Sequence, residues 1–136
     1  MGLAPFQRLR PSAASICCSR ARASSATSQT ACAAGTYQAS TGQTSCDDAD
    51  AGYYVDTMAA TNQTACDPGA YQPDTGQASC IDASAGYYVP NSASSSQTAC
   101  VAGTYQPNGG STSCYQASAG YYVSSIASTN QTACSP

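Results

Sequence analysis

The sequence predicts a small disulfide-rich, mostly β or irregular protein, an elongated tandem array of short stapled hairpins in which a 34-residue repeat is made of two 17-residue half-repeats. Three observations carry this reading. Cysteines recur at fixed spacing, a Gly and Tyr text recurs with them, and aliphatic bulk is too scarce for an ordinary core. The 136 residues include two Leu, three Ile, four Val, one Phe and no Trp, so the 42% hydrophobic fraction is mostly Ala, Tyr and Cys. Nine cysteines in such a chain are the usual substitute for burial in secreted modules, and they imply an oxidising compartment.

Cys32, Cys66, Cys100 and Cys134 follow a 34-residue period, and Cys46, Cys80 and Cys114 form a second series with the same period. The runs TACAAGTYQASTGQTSC, TACDPGAYQPDTGQASC and TACVAGTYQPNGGSTSC repeat with them, each followed by AGYYV. A finer, 17-residue period lies inside, because C-x-x-G-x-Y at Cys32, Gly35 and Tyr37 returns half a repeat later as A-x-x-G-Y-Y at Ala49, Gly52 and Tyr54. Position 1 of this 17-residue unit reads Cys32, Ala49, Cys66, Ala83, Cys100, Ala117, Cys134; position 15 reads Cys46, Gln63, Cys80, Gln97, Cys114, Gln131. Odd units have Cys at both positions and even units at neither. This joint loss favours bonds within a unit, Cys32–Cys46, Cys66–Cys80 and Cys100–Cys114, over the alternative in which Cys46 pairs forward to Cys66. Closing each loop of about 15 residues is worth roughly 3 kcal/mol in the chain-entropy model.

The organisation that follows is a non-repeat basic segment at 1–23, the end of a partial repeat at 24–31, repeats at 32–65, 66–99 and 100–133, and the start of another at 134–136. In each odd unit a Gly precedes a short G-x-Y-Q strand, and Ala39 to Gly42, Pro73 to Gly76 and Pro107 to Gly110 turn the chain back to the closing Cys, which reads as a stapled hairpin. In each even unit Gly-Tyr-Tyr-Val reads as a four-residue strand, and without a disulfide that arm must rely on packing. The Tyr set is the apolar material at hand: Tyr37, Tyr71 and Tyr105 in odd units, and the pairs at 53/54, 87/88 and 121/122 in even ones. One ring per unit is expected to stack on a neighbour or a disulfide, giving an aromatic stripe between units. The second Tyr of each pair, Tyr54, Tyr88 and Tyr122, is the candidate ligand-facing row.

Residues 1–23 differ in kind. Met1 to Arg10 is basic, Pro11 to Cys18 is mildly apolar, and Ala21-Arg22-Ala23 has an A-x-A shape just before the repeats. A signal peptide with a weak hydrophobic region, an Arg/Ser/Ala-rich transit peptide and a start placed inside a longer gene are the three readings left open. Cys17 and Cys18 lie outside the repeat, and Cys134 opens a unit whose partner position lies beyond Pro136, so these three are expected to be unpaired or intermolecular.

Charge is sparse and divided. Arg8, Arg10, Arg20 and Arg22 are the only cations, and all seven acids are Asp between Asp47 and Asp82. A chain without cations beyond Arg22 cannot neutralise phosphates, which speaks against nucleic acid and anionic lipid. No stretch reaches the roughly 20 apolar residues of a membrane span. There is no His, Lys or Glu for general acid or base work and no set of zinc ligands, so neither an enzyme nor a cofactor is expected. Asp47, Asp48 and Asp50 have the oxygen-rich character that calcium favours, but the equivalent positions fade to Asp82 and then to none, which reads as a solvated acidic turn. Asn62-Gln63-Thr64 and Asn130-Gln131-Thr132 are N-x-T sequons at the same position of two even units, candidate glycosylation acceptors.

The C-x-x-G-T-Y-Q…T-G-Q-x-S-C text resembles the ephrin-receptor-like cysteine-rich repeat, a relative of the modules in tumour-necrosis-factor and growth-factor receptor ectodomains, over about residues 24 to 136. That family continues C-x-x-C-x-x-G, so the resemblance implies a further Cys where this chain has Ala49, Ala83 and Ala117, with partners where it has Gln63, Gln97 and Gln131. One bond per full repeat is thereby removed. The resemblance implies a fold type and an extracellular or cell-surface setting, and it carries over neither kinase activity nor ephrin binding. The expected function is a structural or adhesive stalk or surface-display rod, its partners being neighbouring repeats of a longer chain and an unknown protein or glycan at a surface. The alternative is a ligand-binding receptor ectodomain fragment. Proteolysis without reductant followed by mass mapping is expected to return peptides joining Cys66 to Cys80, and a peptide joining Cys46 to Cys66 would overturn the scheme.

Overall fold

Every unit opens on the same tight turn, and the rest of its geometry follows from it. A computed structural model describes residues 28–136, and residues 1–27, with Cys17 and Cys18, lie outside the described residues. In the first unit the Thr36 amide donates to the Ala33 carbonyl (3.0 Å), and the turn passes through Gly35 at φ 88°. Such a φ at the third place of a four-residue turn is what a type II turn requires, and Pro68 at the second place of the Asp67-Pro68-Gly69-Ala70 turn presets the φ preferred there.

From the turn run two-residue strands. β1 (Thr36–Tyr37) pairs antiparallel with β2 (Asp47–Asp48), β3 (Tyr53–Tyr54) with β4 (Thr64–Ala65), and β5 (Ala70–Tyr71) with β6 (Ile81–Asp82). The pattern continues with β7 (Tyr87–Tyr88) and β8 (Thr98–Ala99), β9 (Thr104–Tyr105) and β10 (Tyr115–Gln116), and β11 (Tyr121–Tyr122) and β12 (Thr132–Ala133). The strands are shorter than the four residues expected for Gly-Tyr-Tyr-Val. Val55 leaves the hairpin to donate its amide to Gln77 of the next unit (3.0 Å), and Gly52 is already spent on the turn.

Disulfides Cys32–Cys46, Cys66–Cys80 and Cys100–Cys114 each span a sequence separation of 14 and close the odd hairpins. The even hairpins have a clip of their own. Gln63, at the Cys position, accepts the Asp50 amide through Oε1 at 2.6 Å; Gln97 does the same for Ser84 and Gln131 for Ser118, both at 2.7 Å. The expectation that these arms rely on packing alone is therefore corrected. Odd units use Gln differently, at position 7: buried Gln72 donates from Nε2 to the Ser79 carbonyl (2.7 Å) and accepts the Asp74 amide (3.2 Å), and Gln106 bonds Ser113 and Asn108 in the same way.

Successive units are joined by backbone. Three hydrogen bonds recur at each of the junctions: position 4 amide to position 7 carbonyl of the next unit, position 7 amide to its position 12 carbonyl, and its position 11 amide back to the position 1 carbonyl. For the second and third units these are Gly52 to Gln72 (2.7 Å), Val55 to Gln77 (3.0 Å) and Gly76 to Ala49 (2.8 Å). The glycine also meets the unit after next. A Cβ on Gly52 would collide with the Ala93 carbonyl, and one on Gly86 with that of Ala127. Position 11 takes the left-handed conformation in both parities, as Gly42, Gly76 and Gly110 in odd units and as Ala59, Ala93 and Ala127 (φ 57°, 54° and 53°) in even ones.

The core is a narrow column, not an aromatic stripe. It consists of position 1 (Cys32, Ala49, Cys66, Ala83, Cys100) and position 7 (Val55, Gln72, Val89, Gln106, Val123), all buried. The tyrosines lie outside it, half-buried or exposed, and the ring pair present among the described residues, Tyr105 with Tyr115 at 5.9 Å and 48°, is a cross-strand pair within one hairpin. Among the described residues no ring pair joins one unit to another, which corrects the expected stripe.

Gly86→Ala should destabilise the array by about 2 kcal/mol or more beyond Gly120→Ala, because the two share a positive φ (86° and 83°) while a Cβ on Gly120 meets nothing within 4 Å. Thermal or denaturant unfolding of the pair measures the difference. Gln97→Ala should cost about 1 kcal/mol through the orphaned Ser84 amide, whereas Ala83→Cys with Gln97→Cys should form a fourth disulfide worth roughly 3 kcal/mol, read by thiol titration and Tm.

Candidate functional site

The alternation of side chains along two-residue strands sends one residue of each pair outward, and the outward positions of equivalent units fall in rows. Tyr54 and Tyr88 sit at position 6 of two even units, both half-buried. Each borders a hollow shared with the following odd unit. The first, about 360 Å³, is lined by Tyr54, Asp67, Ala70, Ser79, Cys80 and Asp82 among others; the second, about 290 Å³, by Tyr88, Val101, Thr104, Ser113 and Cys114, with Thr98 and Ala99. Five of these positions correspond at an offset of one full repeat: 54 with 88, 67 with 101, 70 with 104, 79 with 113 and 80 with 114. The hollow is therefore a product of the repeat, with an aromatic wall, a disulfide and a Ser.

Tyr122 belongs to the same row but is 49% exposed, because the described residues place only Cys134, Ser135 and Pro136 after its hairpin. The structure thus gives the Tyr54 and Tyr88 positions a shared hollow, with Tyr122 more exposed than either. A third hollow of about 600 Å³ lies at the first disulfide, between Ser28, Gln29 and Thr30 on one side and Gln38, Gln43 and Cys46 on the other.

The other singled-out residues are placed separately. Asp47 and Asp48 are exposed neighbours on β2, and successive strand residues face opposite ways. Asp50 is occupied locally, its Oδ2 accepting Gln63 Nε2 at 2.7 Å. No group of three or more metal-ligating side chains converges among the described residues. Asn62 and Asn130 are exposed at the bend before β4 and β12, with Gln63 and Gln131 of each sequon turned inward to the clip. Among the described residues Cys134 is a free, exposed thiol, its amide held by the Gly120 carbonyl at 2.9 Å. Among the described residues no helix is long and apolar enough to cross a membrane.

Asp67, Ser79 and Asp82 are site residues that the sequence pattern did not single out. The signal that could have found them is the register itself, since positions 2, 5, 14 and 15 of an odd unit, joined at the first hollow by position 17, lie beside the Tyr of the even unit before it. No protein-family model matches this chain, and no curated protein matches it.

Proposed function

We propose that the chain is an extracellular structural or adhesive array, a stalk or surface-display rod whose length is set by the number of units. The observation that carries this reading is the identity of the junctions. The same three backbone hydrogen bonds join every pair of successive units from 32 to 133, and each unit reaches no further than the unit after next through its glycine. Stability is then local and additive along the axis, as in other repeat arrays, and a chain can be lengthened without redesigning a common core. Three disulfides fit an oxidising compartment. The inventory of reactive groups is consistent with display, since the chain holds no His, Lys or Glu. Resemblance to ephrin-receptor-like repeats supports the same setting, because such modules serve as stalks and surfaces.

The second reading, a ligand-recognising ectodomain segment, is favoured by one observation: the hollow beside Tyr54 returns beside Tyr88, and repeated weak sites gain by avidity.

Small-angle scattering of the full chain tests the rod. The expected radius of gyration lies well above the roughly 14 Å of a compact chain of this length. It should rise further once reductant opens the odd hairpins. A value at the compact size would exclude the stalk and leave the receptor reading.

A further inference from the structure

The three odd hairpins share one backbone but not one set of cross-strand partners. Tyr37 stands opposite Asp47, Tyr71 opposite Ile81 and Tyr105 opposite Tyr115. Side chains directly opposite on one face have Cβ atoms about 4.5 to 5.5 Å apart, so the third hairpin sets two phenol rings against each other. Their centroids are 5.9 Å apart and their planes tilted by 48°. No other ring pair is present among the described residues, which include all ten Tyr. Tyr115 is 54% exposed and Tyr105 half-buried, which opens the pair to an oxidant from solvent and leaves the outer ring free to turn. The scaffold does not require a ring at this position, because Asp47 and Ile81 occupy it in hairpins closed by the same disulfide.

We propose that Tyr105 and Tyr115 form an oxidative cross-linking site, joined into dityrosine by hydrogen peroxide and a haem peroxidase. One electron and one proton leave each phenol, and the two phenoxyl radicals pair in a carbon–carbon bond between ring positions ortho to the oxygens. The two ortho hydrogens then move to the oxygens, which restores both phenols. Peroxide takes up the two electrons and two protons and leaves as two waters. Juxtaposition selects the pair, because a ring held across a ladder meets its partner at an effective concentration on the order of millimolar or more, against micromolar for a second chain. Composition suits the chemistry as well, since there is no Trp to compete for the radical. The new bond would bridge β9 and β10 in the hairpin that Cys100–Cys114 closes, and thiols do not reduce it. That hairpin would then stay closed where the other two open. The site does not depend on whether the array serves as a stalk or as a receptor segment.

The test treats the full chain at micromolar concentration with peroxidase and limiting hydrogen peroxide. Free thiols, Cys134 among them, are first alkylated without reduction, because a thiol returns phenoxyl radicals to phenol. The expected product is a monomer with dityrosine fluorescence, at a yield per chain that about tenfold dilution leaves unchanged. After reduction and peptic digestion, mass mapping should return a linked peptide pair holding Tyr105 and Tyr115, lighter by two hydrogens than its parts. Tyr105→Phe or Tyr115→Phe keeps the ring but removes the phenol, and should lower the monomer signal about tenfold. Each variant's amide spectrum checks that the hairpin is retained. As the gain arm, Ile81→Tyr places a phenol opposite Tyr71 and should roughly double the signal through a second link, Tyr71 to position 81. Absence of dityrosine, or fluorescence confined to covalent dimers, would overturn the site. So would links dominated by Tyr121 or Tyr122, an unchanged yield in either Phe variant, or no gain with Ile81→Tyr.

Discussion

The structure depends on one steric constraint, that the fourth residue of a unit has no side chain. At Gly35, Gly52, Gly69 and Gly86 a carbonyl oxygen of the unit after next lies where a Cβ would stand. The glycine therefore does two things at once: it turns the chain at positive φ, and it lets backbone meet backbone across the array. With that approach fixed, the space inside is fixed too. Position 1 holds Cys or Ala, and position 7 holds Val or a Gln bonded through both its Nε2 and its Oε1. A chain with four Val, three Ile and two Leu is thus not short of core residues for its fold, because the fold has room for no more.

A second regularity follows from the first. Every unit needs its two ends held together, and the hydrogen bonds of a two-residue ladder are too few to do it alone. Odd units add a disulfide and an inward Gln at position 7; even units place Val there and move the Gln to position 15, where it seizes the amide of position 2. The glutamine changes place with parity. In even units a neutral hydrogen bond of about 1 kcal/mol stands where odd units have a covalent link worth roughly 3 kcal/mol in the unfolded-state account. The even units are nevertheless specified, since the clip satisfies an amide that would otherwise be left over at the turn.

Much of this was legible because the repeat is literal. The 17-residue period, the hairpins and the odd-unit bonds could be read from Cys32, Gly35, Tyr37 and Cys46 and their returns. Residue type alone misleads at Gln63, at the tyrosines and at Gln72. Gln63 at a Cys position looked like a loss, and its gain is visible only once Asp50 is seen across the hairpin. The large Tyr rings suggest a stripe between units, yet the buried column is filled by Cys, Ala, Val and Gln, and the ring pair present among the described residues lies within one hairpin. Buried Gln72 runs against the usual expectation for an amide, and only its two backbone partners explain it. The hollows could not be read from one unit, since each is assembled from the Tyr of one unit and positions 2, 5, 14 and 15 of the next.

Constraint and freedom are consequently separated by position. Positions 1, 4 and 7 are held by packing and by the backbone ladder, while the side chains at positions 2 and 16 form none of the three hydrogen bonds that join units. At those positions the chain varies widely: position 2 runs through Ala33, Asp50, Asp67, Ser84, Val101 and Ser118, and position 16 of the odd units through Asp47, Ile81 and Tyr115. Such variation leaves the scaffold's geometry intact, because the bonds that set unit spacing are all main-chain. One lattice can then offer different chemistry at equivalent points, acidic beside Tyr54 and apolar beside Tyr88, at no cost to the fold. The charge asymmetry between the first three units and the last three likewise gives the array a direction along its length without touching the bonds that join its units.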